Sequence, residues 1–323
     1  MYVDNLPARG FVKVDELRCL RTFVEVARRN SFSAAAAYFG VSRATVTKQI
    51  ASLEAAFNTK LINRTTKQMG LTRAGEKVLE NAILLIEKYD DLHDSVRNLA
   101  GEVSGEIRIG VPPAFGTQRM LPVVQEFLQK YPDVTFVVTL LAVRKDESFV
   151  EQGLDVGIII VPDLRDSSYV AIPLAQAPQV LVASPEYLKS APPIEHPSDL
   201  VNHNCLLNLN KSPTGYWSFE GPDGQVSLKV KGNLKSDYGE TLKDAAISGL
   251  GISMHPYYMV SEEIDNGQLR VVLPAYRPTG LDIYAIYSTR KNMPKRMRLF
   301  LEFLKDWAQR PKPWSTPSLA SQP

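Results

Sequence analysis

The chain has 323 residues, of which 44% are hydrophobic and 22% are charged. These are the proportions of an ordinary globular protein, so they exclude a disordered or fibrous chain and allow two or three domains. The sequence contains no apolar run of membrane-spanning length and no apolar segment of a secretory signal. Its two cysteines, Cys19 and Cys205, lie far apart and argue against a disulfide framework, so we expect a cytoplasmic protein.

Positive charge is concentrated at the N-terminus. Residues 1–72 contain eleven Lys and Arg against five Asp and Glu, whereas the whole chain has a net charge of +2. The rest of the chain is therefore mildly acidic. A basic N-terminal piece is typical of binding to a polyanion such as nucleic acid, although a solvated basic surface has the same composition.

Three helices are predicted in the N-terminal piece. The first covers residues 15–29, where apolar residues recur at helical spacing. The second covers residues 34–39, with Ser33 as its N-cap and Gly40 at its end. Ser42 then caps a third helix.

The third helix, which we expect to reach residue 57, begins with short polar and basic side chains. Two helices joined by a tight glycine turn must cross closely, and the alanines at 34–37 allow this approach. Short and basic side chains at a helix N-terminus suit insertion into the major groove of DNA, where basic groups meet phosphates or guanine. The residues presented in this way are Ser42, Arg43, Thr45, Thr47, Lys48 and Gln49.

A hairpin is predicted over residues 61–72, LINRTTKQMGLT, with Arg64, Thr66 and Lys67 around its tip. A basic tip suits contact with phosphates or the minor groove, and a surface hairpin with incidental charge is the alternative. A helix-turn-helix pattern alone gives many false positives. Helix, helix, glycine turn, polar helix and basic hairpin in this order predict a winged helix-turn-helix domain over residues 1–72, with its core from residue 15.

The segment LRTFVEVARRNSFSAAAAYFGVSRATVTKQIASLEAAFNTKLINRTTKQMGLTRAGE closely resembles the DNA-binding domain of LysR-type transcriptional regulators, over nearly all of residues 15–76. The resemblance implies that the third helix reads operator DNA and that the hairpin touches its backbone. Many members have Gln where this chain has Arg43, and Arg favours guanine where Gln favours adenine. The DNA contacts implied by the resemblance are Ser42, Arg43, Ala44, Thr45, Thr47, Lys48, Arg64, Thr66 and Lys67.

A long linker helix is predicted over residues 73–100. Its apolar residues are spaced four and three apart for three heptads, which favours pairing with a second helix. Packing of this stripe on the chain's own body is the alternative. The resemblance also implies dimerisation here, and a dimer would place two recognition helices on a palindromic site. The predicted seam consists of Val78, Ala82, Leu85, Tyr89, Leu92, Val96 and Leu99.

Strand-like and helix-like runs alternate after residue 101, which predicts an α/β domain over residues 101–310. The resemblance implies two subdomains like those of periplasmic binding proteins, subdomain I (106–161 plus 269–309) and subdomain II (162–268). The crossings between them are expected near Val161–Pro162 and Asn266–Leu269. The Pro- and Ser-rich tail, 311–323, is predicted to be disordered. We expect strands at 106–111, 135–142, 155–161, 180–184, 206–209, 251–256 and 282–288, and helices at 117–130, 145–152 and 296–309.

The resemblance implies an effector cleft between the subdomains. Ligands of α/β sheets bind at the C-terminal ends of strands, so the candidate residues are taken from the loops that follow them. Small hydroxyl groups in the first of these loops often hold an effector carboxylate in the family, but Pro113–Phe115 is more apolar here. Ile160 and Val161 stand where relatives often carry Arg, which weakens the case for an acidic effector. The candidate effector-binding residues are Pro113, Ala114, Phe115, Thr117, Ser184, Asn208, Ser236 and Asp237.

No catalytic or metal motif is found. His196, His203 and Cys205 lie close in sequence but match no standard zinc spacing. The chain has no phosphate-binding loop and no nucleophile elbow. We therefore predict no metal, no cofactor and no enzymatic activity.

The function predicted is that of a LysR-type regulator controlled by a small-molecule effector. It would bind promoter DNA as a homodimer or homotetramer, with RNA polymerase as a further partner and no membrane. The alternative is a cytoplasmic small-molecule-binding or catalytic α/β protein with an incidental helical N-terminus.

Overall fold

The chain divides into two units, residues 1–102 and 103–323, and each unit has its own core. Among the helices that the structure describes, none is long and apolar enough to cross a membrane. The computed structural model describes residues 14–64, 69–99, 103–141, 153–164, 169–222, 224–288 and 293–315.

The first unit contains three helices, a two-stranded hairpin and a long helix, in the predicted order. Phe23, Val46, Ile50 and Leu61 are fully buried at its centre. The elements are α1 (Val14–Arg29), α2 (Phe32–Tyr38), α3 (Arg43–Ala56), β1 (Ile62–Arg64), β2 (Met69–Leu71) and α4 (Arg73–Leu99).

The turns between the first three helices are set by local capping. Ser42 caps α3 as predicted, since its Oγ accepts a hydrogen bond from the Thr45 amide at 3.1 Å. The predicted cap of α2 is wrong, because Ser31 rather than Ser33 accepts the hydrogen bond from the Ala34 amide. The reason is that Asn30, the residue after α1, has a left-handed conformation (φ +47°), so Ser31 already stands at the start of the next helix.

The predicted seam of α4 is divided between two environments. Ala82 is 3% exposed, and Val78 packs against the core of the first unit. Leu85, Tyr89 and Leu92 are exposed. The start of α4 therefore follows the alternative reading, packing on its own unit, because it lies beside α1. The side chains of Val96 and Leu99 lie outside the part of the chain described.

In the described residues of the second unit, the strands form two five-stranded sheets and a small three-stranded sheet. The first sheet has the order β4-β3-β5-β15-β6, with β3 parallel to β4 and β5 and with β15 antiparallel to its neighbours. Its strands are β3 (Gly105–Val111), β4 (Val134–Leu140), β5 (Val156–Val161), β6 (Tyr169–Ala177) and β15 (Leu281–Ser288). Its helices are α5 (Pro113–Phe115), a π-helical turn (Gly116–Met120), α6 (Leu121–Lys130) and α10 (Lys295–Gln309). The predicted helix at 145–152 lies outside the described residues.

The second sheet has the order β11-β8-β12-β7-β13, and β10-β9-β14 forms the small sheet. The strands are β7 (Gln179–Ala183), β8 (Cys205–Asn208), β9 (Tyr216–Gly221), β10 (Gly224–Lys229), β11 (Lys235–Ser236), β12 (Ile252–Pro256), β13 (Arg270–Val272) and β14 (Arg277–Pro278). The helices are α7 (Pro185–Ser190), α8 (Gly239–Ile247) and α9 (Tyr257–Asp265), with 3-10 turns at Pro197–Asn202 and Pro313–Ser315.

Both crossings between the subdomains lie later in the chain than predicted. β6 still belongs to the first sheet, so the first crossing is at Pro178 and not at Val161–Pro162. β13 pairs with β7, so the second crossing follows Val272 and not residues 266–269. Pro173 argues against a strand in the sequence, because proline has no backbone N–H to donate. β6 is an edge strand, where this missing donor is tolerated.

The predicted disordered tail begins with an ordered segment. Trp314 packs edge-on against Phe115 and Tyr258, with ring centroids 6.1 and 5.9 Å away. Lys312 Nζ donates hydrogen bonds to three carbonyl oxygens at the end of α10. Disorder from residue 311 is therefore wrong for residues 311–315, because an aromatic side chain and a helix-capping ammonium fix them.

Candidate nucleic-acid interface and effector cleft

The first two turns of α3 present the predicted DNA contacts to solvent. Val46 and Ile50, on the opposite face, are fully buried and fix the side of the helix that points outward. The exposed residues are Ser42, Arg43, Ala44 and Lys48, while Thr45 and Thr47 are half-buried.

The position of α3 is also fixed by a polar contact with α1. The Thr22 hydroxyl is buried and lies within hydrogen-bonding distance of Gln49 Oε1, at 2.9 Å. A specific polar contact in an apolar interface restricts the register of the two helices. Thr22 was not recognised in the sequence, since it occupies a core position of α1.

A buried carboxylate joins the end of α3 to the hairpin. Oε1 of Glu54 accepts hydrogen bonds from the amides of Leu61 (3.0 Å) and Ile62 (3.3 Å), and Oε2 binds Lys60 Nζ at 2.7 Å. Burial alone would raise the pKa of Glu54, but these hydrogen bonds outweigh burial and lower it. Glu54 thus sets where β1 begins, and sequence reasoning missed it.

The hairpin itself has the predicted antiparallel pairing. Ile62 pairs with Leu71, and Arg64 pairs with Met69. The Arg64 side chain, Thr66 and Lys67 lie outside the described part of the structure, so their role in DNA binding stays a prediction.

The base of the hairpin packs tightly on the start of α4. Thr72 Oγ1 donates to the Lys60 carbonyl at 2.7 Å and accepts from the Gly75 amide at 2.9 Å. A Cβ atom at Gly75 would lie 2.1 Å from the carbonyl oxygen of Leu61. Only glycine fits this close approach between helix and strand.

The candidate effector residues of subdomain II lie at opposite ends of the strands in its sheet. β7 is antiparallel to β12, whereas β8 and β11 run parallel to β12 and β8, respectively. Asn208, Ser236 and Asp237 therefore follow strands that end on one side of the sheet, and Ser184 follows a strand that ends on the opposite side. Ser184 is buried, and its Oγ accepts the hydrogen bond from the Tyr187 amide that starts α7. The expectation that Ser184 and Asn208 end strands on the same side is wrong, because β7 and β8 run in opposite directions.

The candidate residues after β3 differ in how far their side chains are buried. Ala114 and Phe115 are buried, and Phe115 stacks edge-on against Tyr258 of subdomain II at 5.5 Å. Thr117 is exposed, and its hydroxyl lies 3.2 Å from the Ala114 carbonyl. Pro113 is half-buried. This loop thus joins the subdomains through packing, and Thr117 supplies the accessible hydroxyl.

A polar turn follows β8 and holds the candidate residues Asn208 and Asp237. Oδ1 of Asn208 accepts hydrogen bonds from the amides of Asn210 (3.0 Å) and Lys211 (3.1 Å). Asn210 Nδ2 donates to the Asp237 carbonyl at 2.9 Å. Lys211 Nζ donates to the Ile160 carbonyl of subdomain I at 3.1 Å. These hydrogen bonds place Asn208 and Asp237 near each other, and Lys211, which sequence reasoning did not select, links their turn to β5. Their part in effector binding stays a prediction.

Arg119 forms a second polar link between the subdomains. Its Nη2 donates to the Tyr258 carbonyl at 3.0 Å, and its guanidinium faces the Trp314 ring at 5.5 Å. Loss of solvation lowers the pKa of Arg119. The Arg119 and Trp314 contacts lie beside Phe115.

A separate groove of about 940 Å³ lies between β7, the small sheet and the segment from Val271 to Gly280. None of the predicted effector residues lines it. It is flanked by both crossings, at Pro178 and after Val272.

The histidine and cysteine residues considered for zinc have other partners. His196 caps the 3-10 turn at Pro197–Asn202, and the His203 ring bonds the Tyr187 hydroxyl at 3.1 Å. Cys205 is buried, which raises the pKa of its thiol to about 12. Within the described ranges, no group of three or more His, Cys, Asp or Glu residues could hold a metal ion.

Two family models match this chain, one in each of its two units. Residues 17–76 match the family described as "Bacterial regulatory helix-turn-helix protein, lysR family", and residues 100–309 match "LysR substrate binding domain". The transcriptional activator TtdR of Escherichia coli K12 is 32% identical over 291 residues, covering 90% of this chain and 93% of TtdR. The transcriptional regulator PtxR of Pseudomonas aeruginosa is 33% identical over 290 residues, covering 90% and 92%.

Solved structures of full-length regulators share this architecture. The Vibrio cholerae virulence activator AphB, a member of the LTTR protein family, has a TM-score of 0.64 and 28% identity, covering 90% of this chain and 99% of AphB. CrgA of Neisseria meningitidis, a LysR-type transcriptional regulator, has a TM-score of 0.56 and 23% identity, covering 91% and 99%. The likeness to CrgA concerns the fold alone.

Proposed function

The chain belongs to the LysR family of DNA-binding transcriptional regulators, and on that premise we propose that it binds a palindromic promoter site as a dimer or a dimer of dimers. The observation that carries the proposal is the exposed start of α3, where Arg43 and Lys48 project opposite a fully buried face. A helix of this kind, presented by α1 and α2, suits the major groove. The protein would act in the cytoplasm, where a bacterial promoter is found.

Within this surface we assign different tasks to different residues. Arg43 would read guanine, because a guanidinium binds its two acceptor atoms in the major groove. Ser42, Ala44, Thr45 and Thr47 would contact base edges and allow the helix to lie deep in the groove. We assign Lys48, Arg64, Thr66 and Lys67 to the DNA backbone, where contacts position the protein without reading sequence.

Dimerisation is proposed through the exposed part of α4. Leu84, Leu85 and Leu92 are 56%, 40% and 60% exposed, and exposed leucines on one helix gain by packing against a second copy. The symmetry of such a dimer would match a palindromic site. RNA polymerase is a further proposed partner at the promoter.

Effector control is proposed at the cleft between the subdomains. The candidate residues are Asn208, Ser236, Asp237, Pro113 and Thr117, with Ala114 and Phe115 as packing residues behind them. An effector that binds one arrangement of the subdomains more tightly than another would shift the regulator between states.

A gel shift with DNA from the promoter region of a neighbouring gene tests the proposal. Binding should weaken steeply with salt, by about 1,000-fold or more between 50 and 200 mM, if six or more phosphates are contacted. It should resist excess random DNA. Competition by random DNA at equal concentration would contradict sequence-specific binding.

A further inference from the structure

A short C-terminal segment, residues 311–315, contacts both subdomains of the second unit. It follows α10, which packs on β6 and β3 of subdomain I. Its 3-10 turn, Pro313–Ser315, packs beside β6 and also beside α9 of subdomain II. The covalent connections between the subdomains are the two crossings, at Pro178 and after Val272. The C-terminal segment is therefore a third connection, and it is a non-covalent one.

Trp314 places its ring where the two subdomains meet. Its centroid lies 6.1 Å from that of Phe115 in subdomain I and 5.9 Å from that of Tyr258 in subdomain II, and both pairs are edge-on. Phe115 and Tyr258 are buried and contact each other edge-on at 5.5 Å. Three rings thus span the junction, and each edge-on pair contributes beyond the apolar area that it buries.

Arg119 completes the contact from the side of subdomain I. Its guanidinium carbon lies 5.5 Å from the centroid of the Trp314 ring, and its Nη2 donates to the Tyr258 carbonyl oxygen at 3.0 Å. The residue belongs to the π-helical turn Gly116–Met120, a rare geometry that is found mostly at functional sites.

The same arginine makes the contact reversible. Arg119 Nε is buried and has no hydrogen-bond partner among the residues that the structure describes. A buried donor without a partner costs free energy. The observed arrangement is therefore favoured by a smaller margin than the contacts of Trp314 alone would give.

Lys312 anchors the C-terminal segment to subdomain I. Its Nζ lies near the end of α10, where carbonyl groups run out of intrahelical donors. It donates hydrogen bonds of 2.8 to 2.9 Å to the carbonyl oxygens of Trp307, Ala308 and Arg310. The Ser315 hydroxyl and amide both donate to the Lys312 carbonyl oxygen, at 2.7 and 2.9 Å. The turn that carries Trp314 is thus fixed to α10 independently of subdomain II.

We propose that residues 311–315 are a clasp that holds the two subdomains in one arrangement, and that release of Trp314 from Tyr258 allows a second arrangement. In its regulatory consequence this inference rests on the proposed function, because rearrangement of the subdomains is the step through which an effector would act. The alternative is a segment that only stabilises the fold. That alternative predicts a loss of stability with no change in how the subdomains are arranged.

Release of the clasp separates its two ends. Because Lys312 holds the segment on α10, Trp314 would move with subdomain I and leave Tyr258 on subdomain II. Two ring contacts and one cation–π contact favour the clasped arrangement in wild type. Their loss should shift the ratio of the two arrangements by about 10- to 100-fold.

The test measures the distance between the subdomains in the full-length protein, without DNA, by pulsed electron spin resonance. Spin labels are attached at Lys130→Cys on α6 and Lys189→Cys on α7, two exposed positions of different subdomains. Cys19 and Cys205 are buried, and protein without the new cysteines measures any background labelling. Labelled chains are diluted with unlabelled ones, so that distances within one chain dominate.

Three variants are compared with wild type and with one control. Trp314→Ala removes the bridging ring, and Trp314→Phe keeps a smaller ring. Lys312→Met removes the anchor and leaves Trp314 unchanged, so it still tests the proposal if Trp314→Ala fails to fold. Tyr216→Ala is the matched control, because Tyr216 is an aromatic side chain on β9 that is 53% exposed.

We expect one narrow distance distribution for wild type and for Tyr216→Ala. Trp314→Ala and Lys312→Met should raise the ratio of a second distance to the first by about 10- to 100-fold, with Trp314→Phe in between. Distributions of both variants that superimpose on wild type would overturn the proposal, even if their unfolding temperatures fall. An equal change in Tyr216→Ala would also overturn it. A gel shift of wild type with promoter DNA reports separately on the proposed function.

Discussion

Oε1 of Glu54, on the last turn of α3, accepts a hydrogen bond from the backbone amide of Leu61 at 3.0 Å, just before β1. The DNA-reading helix and the hairpin are thus joined by one buried carboxylate, which also binds Ile62 and Lys60. Because two backbone donors depend on this group, its loss would leave them buried without a partner.

Glu54→Gln keeps one acceptor oxygen but removes the negative charge and sets an amide group against Lys60 Nζ, so it should destabilise the first unit by about 2 kcal/mol at neutral pH. The pKa of Glu54 is lowered on folding, so its stabilisation is present above the ordinary carboxyl pKa of 4.5 and is lost as pH falls through the folded value. Amide hydrogen exchange at Leu61 and Ile62 in the full chain measures the effect. The difference between variant and wild type should shrink as the pH is lowered below 4.5.

Glu80→Gln is the matched control for this prediction. Glu80 lies on α4, and its side chain is 70% exposed with a long contact of 3.9 Å to Lys77. An exposed pair of this kind contributes little. Equal effects of the two substitutions on exchange at Leu61 would show that Glu54 does not hold the hairpin.

Gly75→Ala should disrupt the base of the hairpin. The added Cβ would meet the Leu61 carbonyl oxygen at 2.1 Å, and because that atom belongs to the backbone, α4 and β1 would have to separate. We expect a cost of about 3 kcal/mol and loss of DNA binding. Gly70→Ala is the control, since a Cβ there has no heavy atom of the described structure within 4 Å. Hydrogen exchange in β1 and a gel shift report both effects, and wild-type behaviour of Gly75→Ala would contradict the close approach.

Arg43→Ala and Lys67→Ala should separate base reading from backbone contact. Loss of Arg43 should cost about 1–3 kcal/mol on the specific site and relax the preference at one base pair. Loss of Lys67 should weaken binding evenly across sequences and reduce the salt dependence by about one phosphate contact. Competition gel shifts with specific and random DNA give both quantities. If both variants lose affinity equally for the two DNAs, Arg43 is not a base reader.

The first unit could be predicted almost completely because its determinants are local. Ser42, Gly40 and the apolar spacing of α1 specify elements within a few residues of themselves. The error at Ser33 arose from Asn30, whose left-handed conformation moved the start of α2 by two residues. Glu54 escaped notice because its partners, Leu61 and Ile62, are seven and eight residues away.

The second unit could be predicted in its elements but not in their pairing. Strand direction depends on contacts distant in sequence, so the sequence does not reveal that β7 runs opposite to β8 and that Ser184 and Asn208 lie at opposite ends of the strands. Pro173 argues against a strand at β6, so the sequence predicts the first crossing before this edge strand and not after it. Lys211 carries no motif, and its link between the subdomains arises only where the turn after β8 meets Ile160, 51 residues earlier.

The most direct test of the account is selection of genomic DNA fragments by the purified full-length protein at physiological salt, with sequencing of the bound fraction. We predict recovery of fragments that share a palindromic motif, with the motif degraded at one symmetric position for Arg43→Ala. Recovery of random fragments by wild type would contradict sequence-specific regulation.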